Sequence, residues 1–242
     1  MTCEYRRHSH FRQIAIPLFL LLLSISPVLC QAPAAGSTPL NNKRILGLMP
    51  DYQTVRDSSI AIAPMTVKQK WQLFFKESSD PFNLASAVVG ATMSHLGRGV
   101  PNYGADKEAY GERVGAAFAD VTTQSFFSDA VLASLFHEDP RYYRKGPAHG
   151  ILYRIGYSMS RMVVTRTDSG HNTFNFSGVL GTMLGIALSN AYYPDRDINS
   201  SVTGGRFLSS FSGAATGNLL PEFWPDIRAK LFKGRRKGKS AP

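Results

Sequence analysis

The stretch Asp106-KEAYGERVGAAFADVTTQSFFSDAVLASLF-His137 decides the fold class. Asp106 is an N-cap residue type and no proline interrupts the run before Pro140, so one long helix is expected over about residues 106 to 137. Small residues recur along it every fourth position, at Gly111, Gly115, Ala119 and Thr123. At 3.6 residues per turn they form one stripe, where small side chains let two helix backbones approach closely. Glycine inside a helix costs up to about 1 kcal/mol relative to alanine, and close packing is the expected compensation.

Working outward, the start and stop signals remain helical. Thr66 with Gln69 reads as a capping box for a helix over about 67 to 78, and Asp80-Pro81 as an N-cap and first-turn proline for one over about 82 to 96. Further helices are expected over about 149 to 166, 177 to 193 and 200 to 218, with a short last one opened by Pro225-Asp226. The ladder of small residues recurs in them, at Ser86, Gly90 and Ser94, at Gly156 and Ser160, at Gly181, Gly185 and Ser189, and at Gly205, Ser209, Gly213 and Gly217. No segment reads as a convincing strand. The expectation is an all-α fold: a compact bundle of about six to seven helices with small-xxx-small packing faces.

The flanks carry different chemistry. Residues 1–30 read as a signal peptide: Arg6, Arg7 and Arg12 precede the uncharged run Ile14 to Leu29, with Pro27 before Cys30-Gln31. Cleavage near Cys30-Gln31 would remove both cysteines, Cys3 and Cys30, and with them any disulfide, thiolate metal site or cysteine nucleophile. Residues 31–65 are rich in Pro, Ala, Ser and Asn and read as an extended tether, with short docked structure near Ile45 to Met49. Residues 66–233 form the helical domain and 234–242 a basic disordered tail. The 212 residues after the signal keep 24 of the 27 Lys and Arg and 16 of the 17 Asp and Glu. Most of that excess sits in Arg228, Lys230, Lys233, Arg235, Arg236, Lys237 and Lys239. These cations suit the surface of an anionic membrane or another acidic envelope polymer, with Trp224 and Ile227 at the bilayer boundary. Nucleic acid is not an expected partner of an exported chain, and a homo-oligomer is a further candidate.

Seven acids lie between Ala105 and Asp139, and six cations with no acid between Arg141 and Arg166. Two such helices joined by a Pro/Gly loop should fold back on each other, which places Asp129 opposite Arg161 as a structural ion pair. No catalytic motif stands out. His137, Arg141, Asp168 and His171 are the weak candidates for a catalytic cleft. His137-Glu138-Asp139 point about 100° apart on a helix and cannot converge on one metal, so no metal site and no cofactor is expected. There is no Gly-x-Ser-x-Gly elbow, and Gly234-Arg-Arg-Lys-Gly238-Lys239-Ser240 has the wrong spacing for a phosphate loop.

Five stretches, His137-Glu-Asp-Pro-Arg-Tyr-Tyr143, Arg166-Thr-Asp-Ser-Gly170, Thr173-Phe-Asn-Phe-Ser177, Ser189-Asn-Ala-Tyr-Tyr-Pro194 and Glu222-Phe-Trp-Pro-Asp226, together resemble a family of uncharacterised exported bacterial proteins. The resemblance spans about residues 44 to 233. It implies an envelope location, periplasm or outer membrane, and a shared fold, with no activity or site residue to transfer. The functional expectation is therefore a non-enzymatic cell-envelope protein, a helical bundle associated with a membrane surface. The alternatives are an envelope hydrolase or lipid-modifying enzyme using the His137/Arg141 and Asp168/His171 regions, and a multi-helix integral membrane or pore-forming protein.

Overall fold

A computed structural model describes residues 44, 45, 47, 49–56 and 63–237. The signal segment 1–30, Lys239 and the end of the chain lie outside the described residues. Helix dominates. In chain order the elements are β1 (Arg44–Ile45), β2 (Met49–Pro50), β3 (Thr54–Val55), α1 (Val67–Ser78), α2 (Pro81–Leu96) and α3 (Lys107–Ser125). A π-helical segment, Phe126–Leu132, continues α3 into the single turn α4 (Ala133–Leu135). Then come β4 (Glu138–Asp139), β5 (Tyr142–Tyr143), α5 (Ile151–Ser160), β6 (Val164–Thr167), β7 (Asn172–Phe174), α6 (Phe176–Ser189), α7 (Ser200–Gly217) and α8 (Leu219–Lys237).

Local chemistry starts the helices where the sequence places them. Thr66 and Gln69 form the reciprocal capping box of α1, with Thr66 N donating to Gln69 Oε1 at 2.9 Å. Asp80, Asp106 and Asn199 each accept a backbone N–H at the starts of α2, α3 and α7. The long helix expected from Asp106 onward is present, but its second half is not α-helical. A π turn takes an extra residue, so side chains after Ser125 leave the azimuths that an α-helix would give them.

Strand content is the first correction to the all-α expectation: three small sheets stitch the helices together. The run expected to be helical over 149 to 166 divides, because α5 ends at Ser160 and β6 follows. Val163, Val164, Thr165 and Thr167 are β-branched and fit a pleated backbone better than a helical turn. β6 pairs antiparallel with β7 and with β4, in register Thr165↔Thr173 and Glu138↔Thr167. Gly170, at φ +90°, makes the β6–β7 turn, a conformation that costs glycine little. β1 and β2 form a two-residue hairpin, and β3 lies parallel to β5. The described residues of the lead-in are thereby built into the domain, with Ile45, Tyr52 and Val55 buried.

The central contact is α6 against the π segment and α3, with α2 on the other side of α3 and α1 against the π segment. Leu73 and Phe74 of α1, with Phe126 and Ala130 of the π segment, supply the buried apolar side chains there. The glycine ladder works on α6 and fails elsewhere. A Cβ on Gly181 would lie 2.7 Å from the backbone of Ser128, and one on Gly185 3.1 Å from that of Gln124, so these two positions admit only glycine without a shift. At Gly90, Gly111, Gly115, Gly156, Gly205, Gly213 and Gly217 a Cβ meets open space, which corrects the expectation that each ladder is a packing face. Among the described residues no helix is long and apolar enough to cross a membrane.

α5 inverts the expected pattern. Ile151, Leu152 and Tyr153 are exposed while Arg154 and Ser158 are buried, because α5 docks on α7 and α8 through its polar face. α8 also begins earlier than expected: Pro221 falls in its first turn, where a missing N–H costs nothing, and Pro225 sits inside it.

Candidate functional site

The five landmark stretches supply the polar connectors of this fold. The carboxylate of Glu138 accepts from the backbone N–H of Phe176 (3.2 Å) and Ser177 (2.9 Å) and from the Ser177 hydroxyl (2.6 Å). A carboxylate at a helix N-terminus offsets its unpaired N–H groups and its dipole. Asp139 grips the Arg141 guanidinium at 2.5 Å and accepts from the Tyr143 hydroxyl at 2.7 Å. Asp120 accepts from the hydroxyls of Tyr192 and Tyr193, both at 2.6 Å. Lys70, fully buried on α1, donates to Asp168 at 2.7 Å and to the carbonyl of Ala133 at 3.1 Å.

Glu222 of α8 is the most completely satisfied of these acids. Its Oε2 accepts from the Tyr142 hydroxyl (2.8 Å) and the Lys145 N–H (3.0 Å), and its Oε1 from the Gly146 N–H (3.0 Å) and Arg154 Nε (2.6 Å). Arg154 and Arg144 reach on to Asp226, each at 2.6 Å. Burial alone would raise the Glu222 carboxyl, yet the hydrogen bonds from Arg154 and the backbone outweigh it and hold it below its ordinary value.

Three of the four weak catalytic candidates lie close together and the fourth apart: the Asp168 N–H donates to the His137 carbonyl at 2.7 Å, the Thr167 N–H donates to the His171 carbonyl at 2.8 Å, and Arg141 is clamped to Asp139. His137 is 80% exposed and lies 3.9 Å from Asp168, whose carboxylate is committed to Lys70. His171 sits in the β6–β7 turn, bonded through Nδ1 to Ser169, and Arg141 is held by Asp139 on another wall. The Asp129–Arg161 ion pair is likewise not formed. Arg161 Nη1 donates to Asn172 at 3.2 Å and its guanidinium lies over the Tyr157 ring. Two causes are visible: the π turn rotates Asp129 away from the azimuth assumed for it, and α5 packs on α7 and α8. Trp224, expected at a bilayer boundary, is buried in the protein, whereas Ile227, Arg228 and Lys230 are exposed.

Asp129 instead meets Glu77, a residue that the sequence reading passed over. Glu77 follows Lys70, Leu73 and Phe74 on the buried face of α1, so an acid recurring with that apolar spacing was the available signal. The two carboxyls share a hydrogen bond, protonated Glu77 donating to Asp129, with Ser125 and Ser128 also donating to Asp129 and the Gln53 amide to Glu77. Burial, then the adjacent Asp129 charge, hold Glu77 well above the usual carboxylate range. Burial raises Asp129 to about 6, against the pull of its hydrogen bonds. No cation is paired with either acid among the described residues.

Both acids line a cavity of about 460 Å³. Its wall comes from the β2–β3 turn (Tyr52, Gln53), α1, the π segment, α6 (Thr182) and the loop that carries Arg161. Arg141 lines it too, its charge matched by Asp139. Arg161 is different: burial lowers its guanidinium from its ordinary value, and no carboxylate partner offsets that. The Tyr52 hydroxyl, on a side chain only 5% exposed, has no hydrogen-bond partner, although the Asn83 amide is beside it. The cavity is therefore lined by an acid pair, by the half-exposed Arg161 and by the Tyr52 hydroxyl, none of them in an ion pair among the described residues.

A second cavity of about 410 Å³ lies between α3, α6 and α7, beside Asp120 and Arg206. Asp120 is held there by two tyrosines and the Arg206 guanidinium lies 3.7 Å from the Tyr193 ring centroid, while Arg206 Nη1 has no hydrogen-bond partner among the described residues. Among the described residues no three or more His, Cys, Asp and Glu side chains converge to hold a metal ion. The chain matches no protein-family model, no curated protein and no solved structure.

Proposed function

We propose that this chain is a non-enzymatic cell-envelope protein that binds a small polar solute in the cavity beside Glu77 and Asp129. The observation that carries the reading is the cavity's content of unmatched polar groups. A fold matches its buried charges internally unless something else supplies the partner, and every other buried acid among the described residues meets a cation or a backbone N–H. Its volume falls in the range of ligand pockets, about 300 to 1,000 Å³. Asp168 is committed to Lys70 and Arg141 to Asp139, which favours binding over hydrolysis there. The test is native mass spectrometry of the full chain after exposure to a metabolite extract, beside a Thr182→Trp variant that fills the cavity. A retained small molecule lost in the variant supports the reading; no retained mass in either protein overturns it.

The envelope placement rests on the N-terminal apolar run, and exposed apolar side chains on α2 (Leu84, Val88, Val89, Met93, Leu96) and α6 (Leu180, Met183, Leu184) support apposition to a membrane surface. The exposed Arg228 and Lys230, with the further cations of 233 to 239, suit anionic headgroups there. Salt, carbonate and detergent washes of fractionated cells test this: release by salt or carbonate fits a surface-bound protein, and release by detergent alone overturns it.

A further inference from the structure

We propose that the solute is a small amino-carboxylate zwitterion, its ammonium group seated on Glu77 and Asp129 and its carboxylate on Arg161. The inference rests on the solute-binding reading and adds the class of ligand. Its basis is a charge separation within one cavity. An acid pair and an arginine of opposite sign line the same space, yet they do not pair with each other, and neither has a charged partner among the described residues. The other arginine of the lining, Arg141, is held by Asp139 on both Nε and Nη2 and has no charge to offer.

Each simpler ligand leaves one wall unmatched. An alkylamine would satisfy the acids and leave Arg161 beside a buried apolar tail. A carboxylate alone would satisfy Arg161 and bring a second anion toward Asp129. A neutral polyol would match the hydroxyls of Ser125 and Ser128 and leave both charges as they are. An amino-carboxylate supplies both counter-charges at once, and the unpartnered hydroxyl of Tyr52 is a further contact for it. The cavity is large enough for a ligand of amino-acid or dipeptide size, and its lining is divided between polar side chains and the apolar Met49, Pro50, Phe82, Val121 and Met162.

Isothermal titration of the full chain tests this with a graded series: glycine, 4-aminobutanoate and 6-aminohexanoate, against butylamine, butanoate and glycerol. At least one amino-carboxylate is expected to bind tenfold or more tightly than butylamine and butanoate. Arg161→Met should weaken that amino-carboxylate by tenfold or more and leave butylamine unchanged. The double variant Glu77→Gln with Asp129→Asn should weaken butylamine and the amino-carboxylate together and leave butanoate unweakened. Circular dichroism and melting of each variant separate a local loss from an unfolded protein, and Arg161→Lys, which keeps the charge, should retain part of the affinity. Butylamine binding as tightly as the amino-carboxylates, or an affinity indifferent to both variants, overturns the zwitterion. So does glycerol as the tightest ligand, or no binding by any probe. In those cases a small molecule retained from extract and lost in Thr182→Trp would still leave the solute-binding reading standing.

Discussion

Glu222 and Glu77 are both buried glutamates on helices, and their surroundings are opposites. Glu222 is met by a guanidinium, two backbone N–H groups and a tyrosine hydroxyl, with a second arginine, Arg144, donating to its backbone carbonyl. Glu77 is met by another acid and an amide, and beyond them lies a cavity. The first environment stabilises the charged carboxylate and holds its pKa down; the second stabilises the protonated acid and holds its pKa up. Burial is common to both, so burial does not separate a structural acid from a site acid. What separates them is whether the fold has supplied the counter-charge.

The largest effect expected from this contrast is at Glu222. Glu222→Ala leaves the buried Arg154 with Asp226 as its one carboxylate partner among the described residues, and breaking a buried pair on one side costs about 3 to 5 kcal/mol. Urea denaturation should read a loss of that size, and a loss under about 1 kcal/mol would make the network dispensable.

Next comes the packing that places the acid pair. The π segment carrying Asp129 is pressed against Gly181, where an added Cβ would sit 2.7 Å from the Ser128 backbone. Gly181→Ala is expected to destabilise by about 1 to 3 kcal/mol through overpacking. Gly213→Ala, at an open helical position, should stabilise by up to about 1 kcal/mol. Equal melting temperatures for the two variants would show that α6 does not fix the π segment.

Titration distinguishes the two acid sites more finely. Glu77 and Asp129 titrate higher in the folded protein than in the unfolded chain, so the native state holds more protons over that interval and stability falls as pH rises. The contribution is full below the ordinary carboxylate range and is lost as pH climbs through about 6 for Asp129 and through the raised value of Glu77. Glu222 has the opposite sign, with stability lost as pH falls through its lowered value. Glu77→Gln should therefore flatten the decline in melting temperature as pH rises above the ordinary carboxylate range, and stabilise the protein at the upper end of that interval. An unchanged slope would mean that the pair carries no shared proton.

The smallest expected effect concerns the pairing that does not form. A double-mutant cycle of Asp129→Asn and Arg161→Met should give a coupling below about 0.5 kcal/mol in the unliganded protein, since Asp129 is engaged by Glu77 and Arg161 by Asn172 and Tyr157. A coupling well above that value would place the two side chains in direct contact.

Much of the helical layout was legible in the chain because its signals are local. Thr66, Asp80 and Asp106 act on N–H groups two or three residues away, so their meaning does not depend on the rest of the fold. The β-branched run from Val163 to Thr167 was a local signal too, overridden in the reading by the expectation of a continuing helix. The landmark stretches could be seen as unusual, but their roles as caps and clamps needed partners far along the chain, 80 residues between Tyr142 and Glu222 and 98 between Lys70 and Asp168. The ladders show the same limit. A small residue every fourth position says that a backbone could approach, and only the docking of α6 against the π segment says where one does.

The sequence by itself determined most of the helix starts and the acidic and basic halves. Which acid shares its proton, which glycines touch a backbone and which arginine is left without a carboxylate were decided by tertiary structure alone. The physical reason is range. Caps and helical periodicity are set within one or two turns of chain, whereas the protonation and pairing of a buried charge depend on every group brought within a few ångströms of it, whatever its place in the sequence.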